Sequence, residues 1–233
     1  MPAERYLIDG KRVPSVSSCK SMLGWGQRRL MHWANTKGLD GLTLEDAYRG
    51  GPAEVGTMAH AMIEADLRGE EIDTSAADEK TREVLERIFD RWQEWREMYV
   101  GDVLLVEAKM VHRELRYGGR VDQLFLGKDG NVWLLDVKTG RLYAEALVQA
   151  AGYVMLVEGG ELVDDESQSD NRWPTLNVRG ERGVDRVGLL RLGQTTSGIS
   201  QFYIDRNDLQ PAEETFRLCR RLYDLKRHLE GEV

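Results

Sequence analysis

The feature that most constrains this chain is a three-residue turn, Lys128-Asp129-Gly130, set between two apolar runs at residues 119–126 and 132–137. Glycine at the third place supplies the positive φ that closes a bulged hairpin. The turn therefore fixes a register. With Gly127 opposite Asn131, Leu126 faces Val132, Leu124 faces Leu134 and Asp122 faces Asp136. Two carboxylates then stand side by side at the ends of apolar strands, where like charges destabilise a sheet and water is scarce. Either one of them takes up a proton or a hard divalent cation binds between them. The strand period of two adds Lys138 to the face of Asp136. Val137 points the other way, with its carbonyl near the strand end. Thr139-Gly140 ends the strand abruptly, and Gly118-Gly119-Arg120 leads into its partner with backbone bare enough to approach a ligand closely.

Around this hairpin the chain reads as α/β. A serine run at 15–18 caps a helix running through Leu23, Trp25, Leu30 and Trp33, with Gly24 and Gly26 against it. Residues 10–14 read as a turn. Gly50-Gly51-Pro52 breaks the chain, and Val55, Met58, Ala59, Met62, Ile63 and Leu67 then recur at helical spacing up to Gly69. A second long helix is expected over 75–98, a strand over 103–111, a helix over 144–157, strands over 187–192 and 201–204, and an amphipathic helix over 212–229. The polar stretch 164–183 reads as a loop. This order gives one domain over 1–233: a mostly helical region to 100, a βββα core over 101–160, a loop over 161–186, and closing strands and helix over 187–233. The fold class is a mixed central sheet flanked by helices.

Helical spacing pairs His60 with Glu64, and Gln149 with Tyr153, each four residues apart and so on one face. If the carboxylates hold a cation, His60 is placed to offer it a nitrogen. Two cysteines, Cys19 and Cys219, are too few for an iron-sulfur cluster and read as free thiols. No run approaches a membrane span and no signal-peptide core opens the chain, so a cytoplasmic, membrane-free protein is expected. The net charge of -8 argues against a polyanion partner, yet residues 1–39 hold seven basic side chains against two acidic ones. Arg28, Arg29 and Lys20, with Arg217, Arg220, Arg221 and Arg227 near the C-terminus, are the candidate phosphate contacts. Trp25 and Trp33 are candidates for stacking on unpaired bases.

Four stretches in order, residues 56–64 (GTMAHAMIE), 119–122 (GRVD), 135–140 (LDVKTG) and 149–153 (QAAGY), resemble the motifs of the PD-(D/E)XK nuclease superfamily. They are most similar to its RecB-like exonuclease branch, and the opening Val13-Pro14-Ser15-Val16-Ser17 resembles the start of stand-alone phage and mitochondrial exonucleases. The second acid is aspartate where many members carry glutamate, and no proline precedes Asp122. The resemblance implies a restriction-endonuclease-like core in which His60, Asp122, Asp136 and the Val137 carbonyl hold Mg2+ or Mn2+. It implies that Asp122, Asp136 and Lys138 are catalytic, with Lys138 orienting the attacking water. Gln149 and Tyr153 would shape the site beside DNA, and Glu64 occupies a motif position of less defined role. The expected activity is a metal-dependent deoxyribonuclease working from DNA ends. A structure-specific or flap endonuclease, or an inactive DNA-end-binding protein of the same fold, is the alternative.

Overall fold

The computed structural model describes residues 6–48, 51–75, 77–163, 183–194 and 198–231. The stretch 164–182 of the expected polar loop lies outside the described residues. β1 (Tyr6–Ile8) and β2 (Lys11–Val13) pair across Asp9 and Gly10, both at positive φ, in a two-residue hairpin. Residues 11–13 of the expected turn are thus a strand. The helix expected from the serine run through Trp33 is divided. α1 (Val16–Lys20) is capped by Ser15, whose hydroxyl accepts from the Ser18 N–H at 3.0 Å. A 3-10 turn (Ser21–Leu23) follows, and Gly24 at φ 65° halts it before α2 (Gln27–Leu39).

α3 (Leu44–Tyr48) precedes α4 (Pro52–Arg68), which opens on proline where a missing N–H costs nothing and closes on Gly69. α5 (Glu79–Tyr99) begins four residues later than the spacing predicts, because Asp78 caps it by accepting from the Thr81 N–H at 2.7 Å. Then come β3 (Val100–His112), β4 (Tyr117–Gly127), β5 (Val132–Lys138), α6 (Ala144–Gly159), β6 (Glu161–Leu162), β7 (Arg186–Leu192), β8 (Ile199–Asp205) and α7 (Gln210–Leu229).

Six strands form one mixed sheet in the order β6-β3-β4-β5-β7-β8. β3, β4 and β5 are antiparallel neighbours, whereas β5 and β7 run parallel, which requires the crossover that α6 provides. The sheet is covered on both sides. Val16 and Cys19 of α1, the buried length of α6 and Phe216 of α7 pack with Leu124, Val132 and Leu134 in one cluster. Val55, Ala59 and Ile63 of α4, with Leu85, Ile88, Trp92 and Trp95 of α5, pack with Phe125, Leu135 and Val137 in the other. Asp66 of α4 accepts from the Trp92 indole N–H at 2.7 Å and from Arg96, so the two helices are joined by a satisfied polar contact within apolar packing. The mixed sheet flanked by helices is a restriction-endonuclease-like α/β fold. Cys19 and Cys219 are free and buried, and among the described residues no helix is long and apolar enough to cross a membrane.

Gly118 and Gly119 differ from their expected role. A Cβ on Gly118 would lie 2.4 Å from the Tyr6 ring, and one on Gly119 would lie 2.7 Å from Leu156 and 2.8 Å from Val16. Their bareness admits the protein's own side chains, not a ligand. Gly152 acts likewise in α6, where a Cβ would meet the Phe216 ring at 2.6 Å while the Tyr117 hydroxyl donates to the Gly152 carbonyl at 2.9 Å. Gly152→Ala is expected to cost about 1–3 kcal/mol by overpacking the α6–α7 contact. Gly140→Ala, with nothing within 4 Å of the new methyl, is the control. Chemical denaturation of both reads the difference, and equal midpoints would refute the packing account.

Candidate active site

The hairpin register holds to the residue as far as it runs. Leu126 pairs with Val132 and Leu124 with Leu134, Gly130 has φ 81°, and the Gly127 N–H donates to the Asn131 carbonyl at 2.8 Å. The ladder ends at Gln123 and Leu135, one pair short of the acids. There the Asp122 carboxylate takes the place of a backbone acceptor, its Oδ2 receiving the Val137 N–H at 3.1 Å. A residue's N–H and C=O point to the same side of a strand, so the Val137 carbonyl faces the same gap.

β3 is irregular at the same level. Val106 pairs with Gln123 and Ala108 with Val121, which puts Glu107 level with Asp122, and Glu107 has a φ of 46°. Such a backbone conformation costs a residue with a side chain about 1–2 kcal/mol. Its effect is to turn the strand over. Leu105 and Ala108, of opposite parity, share one buried cluster, as do Leu124 and Val121 across from them. Glu107 thereby comes to His60, whose Nδ1 lies 3.7 Å from Glu107 Oε1 and 3.7 Å from Asp122 Oδ2. One ligand atom each from His60, Glu107 and Asp122 falls within 4.8 Å of the others, a spacing that can hold a metal ion. Glu107 is absent from the sequence expectation. Its signal was an acid alone within the apolar run Leu104-Leu105-Val106-Glu107-Ala108.

His60 reaches this group because α4 passes close to the end of β5: a Cβ on Gly56 would stand 3.0 Å from the Thr139 hydroxyl. Glu64, one turn on, lines the same cavity but is paired with Arg68 at 3.1 Å. Asp136 lies deeper, 1% exposed. Its Oδ1 receives the Lys138 ammonium at 2.6 Å, and its Oδ2 is buried without a partner among the described residues. An orphaned carboxylate oxygen beside a carboxylate–imidazole group fits a divalent cation, because both lack only an electropositive neighbour. Lys138 and His60 stand as internal counter-ions beside the acids, in addition to the two routes expected.

Burial raises Asp122 against the opposing fields of His60 and Lys138, and raises Asp136 against that of Lys138. Burial disfavours the His60 imidazolium, yet the Glu107 hydrogen bond and the fields of Asp122 and Glu107 together outweigh it and lift His60 to about 9. Gln149 and Tyr153 occupy one buried edge: the Gln149 amide donates to the Tyr153 hydroxyl at 3.0 Å, and Lys20 donates to the Gln149 carbonyl oxygen at 3.2 Å. A cavity of about 990 Å3 is lined by His60, Glu64, Glu107, Asp122, Lys138 and Tyr153.

The basic candidates divide. Arg28 is exposed on α2, whereas Arg29 is held by Glu145 at 2.5 Å and lies 3.8 Å over the Tyr143 ring. Arg220 is buried, donating to the carbonyls of Leu115 and Arg116, so it ties α7 to the β3–β4 turn. Trp25 stands about half exposed, and Trp33 is partly buried.

Because Glu107 raises the His60 pKa, Glu107→Gln is expected to lower it from about 9 toward the ordinary imidazole value of about 6.5. The imidazole proton resonances of metal-free protein report this directly in a pH titration. A His60 midpoint unmoved by the substitution would remove Glu107 from the group.

No curated protein matches the chain. The family model of the PD-(D/E)XK nuclease superfamily matches residues 31–227, a span that takes in His60, Glu107, both aspartates, Lys138 and the α6 pair. With that match across most of its length, the chain belongs to the PD-(D/E)XK nuclease superfamily.

Proposed function

We propose that this protein is a Mg2+- or Mn2+-dependent deoxyribonuclease of the RecB-like branch that hydrolyses phosphodiester bonds from DNA ends, acting in the cytoplasm as one domain over residues 1–233. The observation that carries this reading is the unpartnered Oδ2 of buried Asp136, set beside Lys138 and next to the His60–Glu107–Asp122 group. End dependence is supported by the four ordered motifs, which resemble those of exonucleases.

His60, Asp122, Asp136 and the Val137 carbonyl are the proposed ligands, and Glu107 joins them. When bound, the cation neutralises the scissile phosphate and favours deprotonation of water. Lys138 is a second cation at the mouth of the cavity, with donors left over after its bond to Asp136. It holds a water by hydrogen bond and stabilises negative charge as the phosphate oxygens develop it. Asp136 fixes the lysine, and its burial keeps that contact from exchanging with solvent. Gln149, hydrogen-bonded to both Tyr153 and Lys20, forms with Tyr153 a rigid polar edge for the strand to lie against, while Arg28 contacts its backbone.

Incubation of end-labelled linear DNA and closed single-stranded circles, with Mg2+ or Mn2+, tests the reading. Linear strands shorten, circles persist and chelator stops the reaction. Rapid loss of circles would instead make the protein an endonuclease, and binding without product would make it an end-binding protein. Asp136→Asn and Lys138→Ala are each expected to lower turnover roughly a thousandfold, about 4 kcal/mol of transition-state stabilisation. In chelator, Asp136→Asn melts close to the wild type, because the charge it removes is one that burial disfavours. Near-normal turnover by Lys138→Ala would take the lysine out of the mechanism.

A further inference from the structure

A second depression, of about 360 Å3, meets the catalytic cavity at Lys138, which lines both. Its volume is in the range of sites for small organic groups. Its walls are apolar and aromatic: Trp25, Leu30 and Tyr143 are 51%, 54% and 41% exposed there. Its lining also carries the cations Lys20, Arg141 and Lys138, and the charge of its one carboxylate, Glu145, is met by Arg29.

The helix that forms one side of it is unlike the others in the chain. None of the 13 residues of α2 is buried, and its charged residues, Arg28, Arg29 and Lys37, are all basic. α2 is nonetheless held in place, because Arg29 bridges to Glu145 of α6 and covers one face of Tyr143. Trp25 sits between Gly24 and Gly26, in the short turn between the two helices. An apolar, aromatic slot lined also by lysines and an arginine, opening beside the acidic centre proposed to cleave phosphodiesters, matches one chemistry in particular. That chemistry is a nucleobase attached to a phosphate backbone.

We propose that this slot receives an unpaired nucleobase of the strand whose phosphate lies at Lys138, and that the protein therefore acts on single-stranded DNA. The inference rests on the nuclease reading of the adjoining site and adds the substrate class. A base within a duplex is stacked on both faces and paired along its edge, so neither face is available to Trp25. The slot's lysines and Arg141 hold the flanking phosphates, and the indole supplies the sequence-tolerant stack.

The test measures binding of fluorescent single-stranded oligonucleotides by the Asp136→Asn protein with Mg2+, with one abasic residue walked along the strand. One abasic position is expected to weaken binding roughly 5- to 150-fold, the equivalent of one base–aromatic stack. Trp25→Ala in the same background shows the same loss on intact DNA and no further loss at that abasic position, while Trp25→Phe restores most of the affinity. A merely structural role for Trp25 would lower affinity equally at every abasic position. That result, or duplex bound as tightly as single strands, overturns the proposal. Failure of the wild type to cut any DNA would refute the nuclease reading while leaving this binding result to stand on its own.

Discussion

Burial of the Asp136 carboxylate is the constraint to which the rest of the centre answers. A carboxylate removed from water loses several kcal/mol of hydration, and only close positive charge or hydrogen-bond donors offset that loss. Lys138 answers one oxygen and nothing answers the other. The neighbouring acids are managed the same way, by a histidine from α4 and a backbone N–H from β5. Three carboxylates thus face two cationic side chains. The metal-free site is held together but remains electron-rich, which is the state a cation-binding centre needs.

Local irregularities follow from that demand. A regular β4–β5 ladder would place Asp122 and Asp136 in direct opposition with no donor between them. Ending the ladder one pair early lets Asp122 turn its carboxylate to the Val137 N–H, and the positive φ at Glu107 turns the next strand over to match. Between β4 and β5, lost pairing begins only at the level at which the acids stand. From there toward the hairpin, Leu124, Leu134, Phe125 and Leu135 continue ordinary cross-strand packing. Helices then complete the site from both faces, α4 delivering His60 from one and α6 delivering Gln149 and Tyr153 from the other. The centre lies at the carboxyl end of β5, beside the point where its neighbours change from antiparallel to parallel.

What was legible in the sequence was local. The Lys128-Asp129-Gly130 turn set the β4–β5 register, and with it the level of Asp122 and Asp136, because turn geometry leaves little freedom to the residues that follow. Glu107 was not legible, since the β3–β4 register shifts twice, near Val100 and Val103, before reaching the site. No short turn encodes those shifts. The α1–α2 break was signalled by Gly24 and Gly26, but helical spacing of the apolar residues outweighed them. Basic residues are ambiguous for a different reason: Arg29 and Arg220 have the charge of phosphate contacts, and in the fold their planar donors also fasten helices. Sequence reveals charge, whereas the partner of a charge is a property of the fold.

Acidity of the whole chain and of its centre also determines how a polyanion must be held. With a net charge of -8, long-range attraction to DNA is weak, so affinity has to come from cations near the path of the strand. Such cations lie on two sides of the carboxylates. Lys20 and Arg141 line the slot that meets the cavity at Lys138, while Arg12 and Arg227 line another depression that meets it at Arg120 and Tyr153. A strand spanning both places its phosphates against positive charge on either side and brings one phosphate over the acids, where a bound cation must meet it. On the proposed reading, the repulsion of the centre would help selection, because the acids disfavour a phosphate without that cation. Substrate and metal would then stabilise each other's binding, and the flanking arginines and lysines would set the salt dependence of the pair.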